Sequence, residues 1–336
     1  MNVVYSASDR YSELAGISLT SLLINNQDVE EIHVFILDNG ICPENKLRIQ
    51  SVVKQYNRDV SFFSLPENLL GKEINVQKWN ISTFGRLFEA SILPESIERV
   101  IHIDCDTVIN GSLKPIWNIE MGQAVVAGAC DSLSDEYKRN IGMEPGDSYI
   151  NAGVIVLNLK RIRELGLENK FFDYISKHCH MLTYVDQEVL NACVQEKEKV
   201  VFPLKYNAYS VIHYLSYGQL KQLRHVNKMV PVKEYNEAKN KPVVIHYTSC
   251  FLEGTRPWME NDNHPMRGLF LKYKSSSPWR DRDEWPDERS SKGRLVSIIV
   301  KNIPMCILAP VIGYIHGVYV PRQNKKKQDV IQETRC

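Results

Sequence analysis

Apolar residues in the first part of the chain fall alternately into short unbroken runs and into helical spacing. Residues 3–6 read as a buried strand, followed by the polar turn Ser6-Ala7-Ser8-Asp9-Arg10-Tyr11 and a helical pattern through Leu14, Ile17, Leu19, Leu22 and Leu23. Residues 32–37 predict a second strand, 43–56 an exposed helix opened by Pro43 and Glu44, and 60–63 a third strand. This β-α-β-α-β order predicts an α/β fold with a mostly parallel sheet covered by helices on both faces. Ligands of such sheets gather at the carboxyl ends of the strands. Further along, 82–88 predicts the start of a helix, 124–129 and 154–157 two strands, and 159–175 one helix. A helix opening at Tyr184-Val185-Asp186-Gln187-Glu188 and a strand over 243–245 follow.

The stretch Val100-Ile101-His102-Ile103-Asp104-Cys105-Asp106 carries the sharpest chemistry: a buried strand that runs straight into two carboxylates one residue apart. Strand side chains alternate, so strand geometry persisting through these residues turns Asp104 and Asp106 to one side and Cys105 to the other. Two co-facing carboxylates repel, and a divalent cation, a basic partner or a shared proton relieves them. The spacing alone is unspecific, since Asp281-Arg282-Asp283 repeats it. Only the first pair ends a strand.

Other polar residues at element ends have both a functional and a bland reading. The turn from Ala7 to Tyr11 suits a phosphate or a base edge, or is an ordinary strand-to-helix connection. Arg86, near a helix start, sits beside the acidic pair or on the surface. Asp131 is a third carboxylate at a strand end or a loop cap, and Asn151-Ala152-Gly153 lets either a ligand or a second chain segment approach the backbone. Asp186 lines a pocket rim or caps its helix. His246, directly after the strand at 243–245, is a packed imidazole or a further ligand beside the aspartates. Two carboxylates and an imidazole favour Mn²⁺ over Mg²⁺ and leave positions for diphosphate oxygens.

The chain has 336 residues, 43% of them hydrophobic, and a net charge of +1, so it builds a large core and presents no overall field for nucleic acid. Eight cysteines without a C-x-x-C pair match neither a zinc site nor a disulfide framework, which points to a reducing compartment. The N-terminus enters a strand at once, without the pattern of a signal peptide or anchor, and the expected location is cytoplasmic. The C-terminal part differs in composition. From position 289 to 327 there is no acidic residue, and basic residues flank two apolar segments. Lys301, Pro304 and Pro310 argue against a clean membrane span and for a segment lying on the anionic inner face of the cell membrane, with a helical pair packed on the domain as the alternative. The expected division is a catalytic domain over 1–270 and a C-terminal extension over 271–336.

Taken together, over about residues 1–258, these motifs resemble glycosyltransferase family 8, the retaining transferases of the nucleotide-diphosphosugar fold called GT-A. They occur in family order: Ala7-Ser8-Asp9-Arg10-Tyr11, Ser82-Thr83-Phe84-Gly85-Arg86-Leu87, Ile103-Asp104-Cys105-Asp106, Tyr149-Ile150-Asn151-Ala152-Gly153, Asp186-Gln187-Glu188, and His246-Tyr247 ahead of Arg256-Pro257-Trp258. Within the family the likeness is to bacterial lipopolysaccharide galactosyl- and glucosyltransferases. The resemblance implies Asp104, Asp106 and His246 as Mn²⁺ ligands and Ala7, Ser8, Asp9 and Tyr11 around the uridine. It also places Arg86, Cys105, Asp131, Asn151, Ala152 and Asp186 about the donor, with Gln187 facing the anomeric carbon. Gly254 and Arg256 match the glycine and basic residue that close on the diphosphate. The sequence departs at Ser8, where the family commonly has aspartate, at Arg10, commonly asparagine, and at Arg256, commonly lysine; the segment 246–258 also looks longer.

The implied activity is transfer of glucose or galactose, with retention, from UDP-glucose or UDP-galactose to a saccharide or glycolipid acceptor of a cell-surface glycan. Mn²⁺, with Mg²⁺ as second choice, assists departure of UDP. Two rivals are a phosphatase or phosphotransferase using Asp104 as nucleophile and Asp106 as acid/base, and a non-catalytic UDP-sugar-binding adaptor at a membrane.

Overall fold

The computed structural model describes residues 1–66, 69–70, 81–179, 182–250, 252 and 254–333. Ten strands are described: β1 (Asn2–Ser8), β2 (His33–Asn39), β3 (Asp59–Ser64), β4 (Arg99–Ile103), β5 (Thr107–Ile109), β6 (Val126–Cys130), β7 (Ile150–Asn158), β8 (Lys199–Val201), β9 (Ala208–Tyr209) and β10 (Val244–His246). Seven of them form one sheet in the order β3-β2-β1-β4-β7-β6-β8. Neighbours are parallel except where β7 runs antiparallel to β4 and β6. The remaining three form a small sheet, β5-β10-β9. The α/β architecture with a mostly parallel sheet is therefore what the alternation predicts.

Period-two alternation explains the two core layers. Val3, Tyr5 and Ala7 of β1 and Ile101 and Ile103 of β4 pack with the helix Ser12–Asn25, whereas Val4 and Val100 face Phe84, Leu87 and Val189 on the other side. That second face also holds the buried His102, paired with Glu89 of the short helix Glu89–Ile92.

Several local expectations differ from the structure. The segment 159–175 forms two helices, Leu159–Leu165 and Leu167–His178, because Gly166 takes φ 58° and ends the first with a left-handed cap. Asn151, Ala152 and Gly153 lie inside β7 rather than before it. Arg86 belongs to a 3₁₀ segment, Ile81–Phe88.

The expected boundary at 270/271 falls inside the helix Arg267–Ser275, whose Phe270 and Tyr273 are both buried in the main core. Packing continues to Trp279, whose ring sits against Gly16 of the first long helix. Beyond it come the helices Ser291–Asn302 and Met305–Tyr314, the latter continuing through a π-turn, Ile315–Tyr319, into Val320–Glu333. Pro310 does not end this helix. Among the described residues, the stretch Met305–Lys326 is one helix long and apolar enough, by length and composition, to cross a membrane.

Candidate active site

The two aspartates do not extend β4. They occupy the tight turn that carries the chain from β4 in the large sheet to β5 in the small one. Pairing of β5 with β10 sets Thr107 opposite His246, and the Tyr247 N–H donates to the Asp106 carbonyl at 2.8 Å. On the other side the Asp104 N–H donates to the Gly153 carbonyl of β7 at 2.8 Å. The turn thus brings the carboxylates together by ladder hydrogen bonds to two different sheets, where strand alternation had been the expected cause.

Each carboxylate has one oxygen held by a guanidinium and one facing His246. Asp104 Oδ1 pairs with Arg86 Nη2, while its Oδ2 lies 3.4 Å from His246 Nε2. Asp106 Oδ2 pairs with Arg256 Nη1 at 3.0 Å, while its Oδ1 lies 3.3 Å from the same nitrogen. Ligand atoms of all three residues lie within 4.8 Å of one another. The imidazole presents the nitrogen this set needs. His246 Nδ1 is 3.0 Å from Asn207 Oδ1, and the Asn207 amide nitrogen donates to Asn151 Oδ1 at 2.8 Å, so Asn207 Oδ1 is left to accept Nδ1–H. Nε2 is then the nitrogen aimed at the carboxylates: protonated, it donates to them, and in the neutral ring it would offer its lone pair to a metal. Two hard carboxylate oxygens and one imidazole nitrogen fit a divalent cation of the Mn²⁺ or Mg²⁺ kind.

Burial works against the charge of Asp106, yet His246 and Arg256 beside it hold its carboxyl below the usual range. Burial likewise opposes charge on His246, and Asp106 and Asp104 outweigh it, holding the imidazole above its ordinary value.

Arg86 is the hinge of the deeper part. It is 7% exposed, so the surface alternative fails. Its Nη1 donates to the Ala152 carbonyl and its Nε lies 2.6 Å from Asp186 Oδ2. Burial alone disfavours the guanidinium, but Asp104 and Asp186 keep it charged. Burial pushes the Asp186 carboxyl up to about 6, with Arg86 pulling it back. Asp186 is not a cap; it stands in the first turn of the helix Val185–Cys193, next to Val185 at φ 49°. A β-branched residue in that region is strained by about 1–3 kcal/mol. Gln187 is fixed at both ends of its amide, accepting from the Ala152 N–H at 3.0 Å and lying 3.4 Å from Asp131 Oδ2.

These residues line one cavity of about 580 Å³, with Ser8, Tyr11, Cys105, Asp131, Asn151, Ala152, Gln187, His246 and Arg256 all on its wall. Cys105 is buried and its Sγ is 3.2 Å from the Ser6 carbonyl. Three expected residues lie off this wall. Ala7 is wholly buried, Asp9 turns away to accept from the Cys42 N–H and the Asn45 amide, and Gly254 borders a second cavity. Arg10 points outward to Glu288 and over the Trp285 ring. The second D-x-D, at Asp281 and Asp283, is exposed and does not line this cavity.

Sequence reasoning missed Asn207, Tyr184, Tyr209 and Arg224. Asn207 carried one faint signal, a lone amide in the aromatic run Tyr206-Asn207-Ala208-Tyr209. Arg224 lies 3.8 Å from Asp131 Oδ1 and gave none.

Among solved structures, the galactosyltransferase LgtC in complex with donor and acceptor sugar analogues superposes with a TM-score of 0.70 over 88% of this chain and 100% of its own, at 21% identity. General stress protein A of Bacillus subtilis is 25% identical over 83% of this chain and 94% of its own length. A lipopolysaccharide 1,2-glucosyltransferase of Escherichia coli is 24% identical over 84% and 79%. The model of glycosyl transferase family 8 matches residues 2–262, and on that match, with the fold and the site geometry in agreement, this chain belongs to glycosyltransferase family 8.

Proposed function

We propose that this glycosyltransferase moves glucose or galactose, with retention of anomeric configuration, from a UDP-sugar to a saccharide hydroxyl of a cell-surface glycan. The observation that carries this reading is the convergence of Asp104 Oδ2, Asp106 Oδ1 and His246 Nε2, each aimed by a separate second partner. Those three would hold Mn²⁺ or Mg²⁺, which when bound supplies positive charge against a diphosphate leaving group. Arg256, at the same rim, adds a guanidinium to that charge.

Around the sugar the chain offers orientation rather than a free nucleophile. Asp186 is tied to Arg86, and Gln187 is an amide with both ends bonded. This arrangement supports attack from the leaving-group face, the departing phosphate accepting the proton of the acceptor hydroxyl, with Asp186 and Gln187 positioning the ring. It speaks against a covalent intermediate on Asp186.

The test is UDP release by the purified chain over a panel of UDP-sugars with Mn²⁺, repeated with D104A and D106A. Turnover with UDP-glucose or UDP-galactose that falls at least about 100-fold in either variant supports the assignment. Release of inorganic phosphate without UDP favours the phosphatase reading, and tight UDP binding without turnover the adaptor reading.

The C-terminal helices support a peripheral site on an anionic membrane face. Leu295, Ile298, Ile307, Val311 and Tyr319 are exposed there in a segment whose charges are all basic. Replacing Ile298 and Ile307 by Asp should abolish sedimentation with anionic vesicles; unchanged sedimentation refutes this.

A further inference from the structure

A second cavity of about 700 Å³ adjoins the first, and its purpose is not explained by donor binding. The two share Tyr184, Arg224, Ser249 and Arg256, so a polar cavity and a more apolar one border each other at these four residues. The more apolar cavity is built jointly by the catalytic body, through Leu133, Val211 and Met259, and by the C-terminal helices, through Val296, Val300 and Ile312. That wall is seated closely. A Cβ on Gly313 would lie 2.1 Å from the Gln222 carbonyl oxygen, and one on Gly317 would lie 2.5 Å from His225 Cβ, so two glycines one turn apart let the helix press against the body. At the shared border stands Arg224, whose Nε has no hydrogen-bond partner among the described residues.

Resting on the glycosyltransferase reading above, we propose that this second cavity receives the apolar chain of an amphiphilic saccharide acceptor while its head-group hydroxyl enters the polar cavity. A site of this size, mostly apolar with a few polar groups at one end, is built for a ligand of that same polarity. Adjacency to the reaction site selects the occupant: whatever fills the second cavity and reaches past the shared residues must carry its reacting hydroxyl only a short way off. The acceptor class is therefore a glycolipid with a short head group, in contrast to one bearing a long oligosaccharide between lipid and acceptor hydroxyl. The exposed apolar face of the same helices gives such a molecule a route from a lipid surface.

The probes are n-alkyl β-glucosides and β-galactosides from methyl to octyl, below micelle formation, with binding to the full chain followed by calorimetry. Octyl should bind on the order of 100-fold more tightly than methyl, the gain from burying about half of the added methylenes. V296W fills the cavity from a half-exposed position and should remove this gain. I298W, on the exposed side of the same helix, should keep it. No gain with chain length, a gain surviving V296W, or one lost in I298W overturns the proposal, the last two by placing the chain on the outer surface. UDP release without acceptor is measured on the same wild-type preparation. If the wild type releases no UDP from any UDP-sugar, the glycosyltransferase reading fails, and the alkyl-chain result still stands or falls by itself.

Discussion

Gly153 is where the site depends most directly on a missing atom. Its backbone in β7 lies flat against the His246 ring: a Cβ placed there would be 2.0 Å from Cε1, 2.2 Å from Nδ1 and 2.9 Å from Nε2. Ordinary carbon contacts begin near 3.5 Å, so in G153A the imidazole must retreat by roughly 1.5 Å. It cannot do so and keep the 3.0 Å bond from Nδ1 to Asn207. Metal sites tolerate only about 0.2 Å in ligand distance, and losing one supporting bond commonly lowers metal affinity about 10–100-fold. We expect Mn²⁺ affinity, read by electron paramagnetic resonance with UDP present, to fall by at least that factor, about 1.4–2.7 kcal/mol. N207A should move affinity the same way. A folded G153A with Mn²⁺ affinity within about twofold of wild type would refute the claim that backbone contact and the Asn207 bond aim the ligand.

Further consequences are open to measurement. R86M leaves Asp104 and Asp186 without their shared cation and should cost about 3–5 kcal/mol in urea unfolding, as for other broken buried ion pairs; a loss below about 1 kcal/mol would contradict the pairing. His213 and His264 are buried, which lowers their imidazoles to about 4 and about 3. The unfolded chain takes up these protons below about pH 6.5 and the native state does not, so their contribution is intact above that pH and is lost as pH falls toward 4. Wild type should lose up to about 1.4 kcal/mol per pH unit more than H264Q as pH falls through that window; superimposable profiles would dismiss the assignment. G313V should unseat the C-terminal helix from the Gln222 carbonyl and expose the 302–305 junction to protease, without loss of the Trp279 packing; protection equal to wild type would show that the contact is loose.

The order of strands and helices was legible because it follows from local periodicity, and so was the Asp104 and Asp106 pair, which ends a run of buried apolar residues. The cause of their convergence was not. Alternation along β4 accounts for His102 behind Asp104, but the turn and the β5–β10 register bring Asp106 to His246, and register between distant strands leaves no local trace. Gly166 shows the same limit on a small scale: a helical pattern runs through it unbroken, and only its left-handed backbone divides the helix. Arg86 kept a surface reading and Asp186 a cap reading beside the site reading, because each, taken alone, is a charge near a helix start. Their burial follows from each other's presence.

The cross-strand placement of Asp106 and His246 also bears on when the site comes into being. Asp106 lies in the first half of the chain and His246 near the end of the stretch matched by the family model, brought together by the ladder between β5 and β10. A nascent chain on the ribosome, however well folded its early strands, holds two carboxylates and no third ligand until β10 has been made and paired. A metal held by these three residues would therefore be captured only after the sheet is complete.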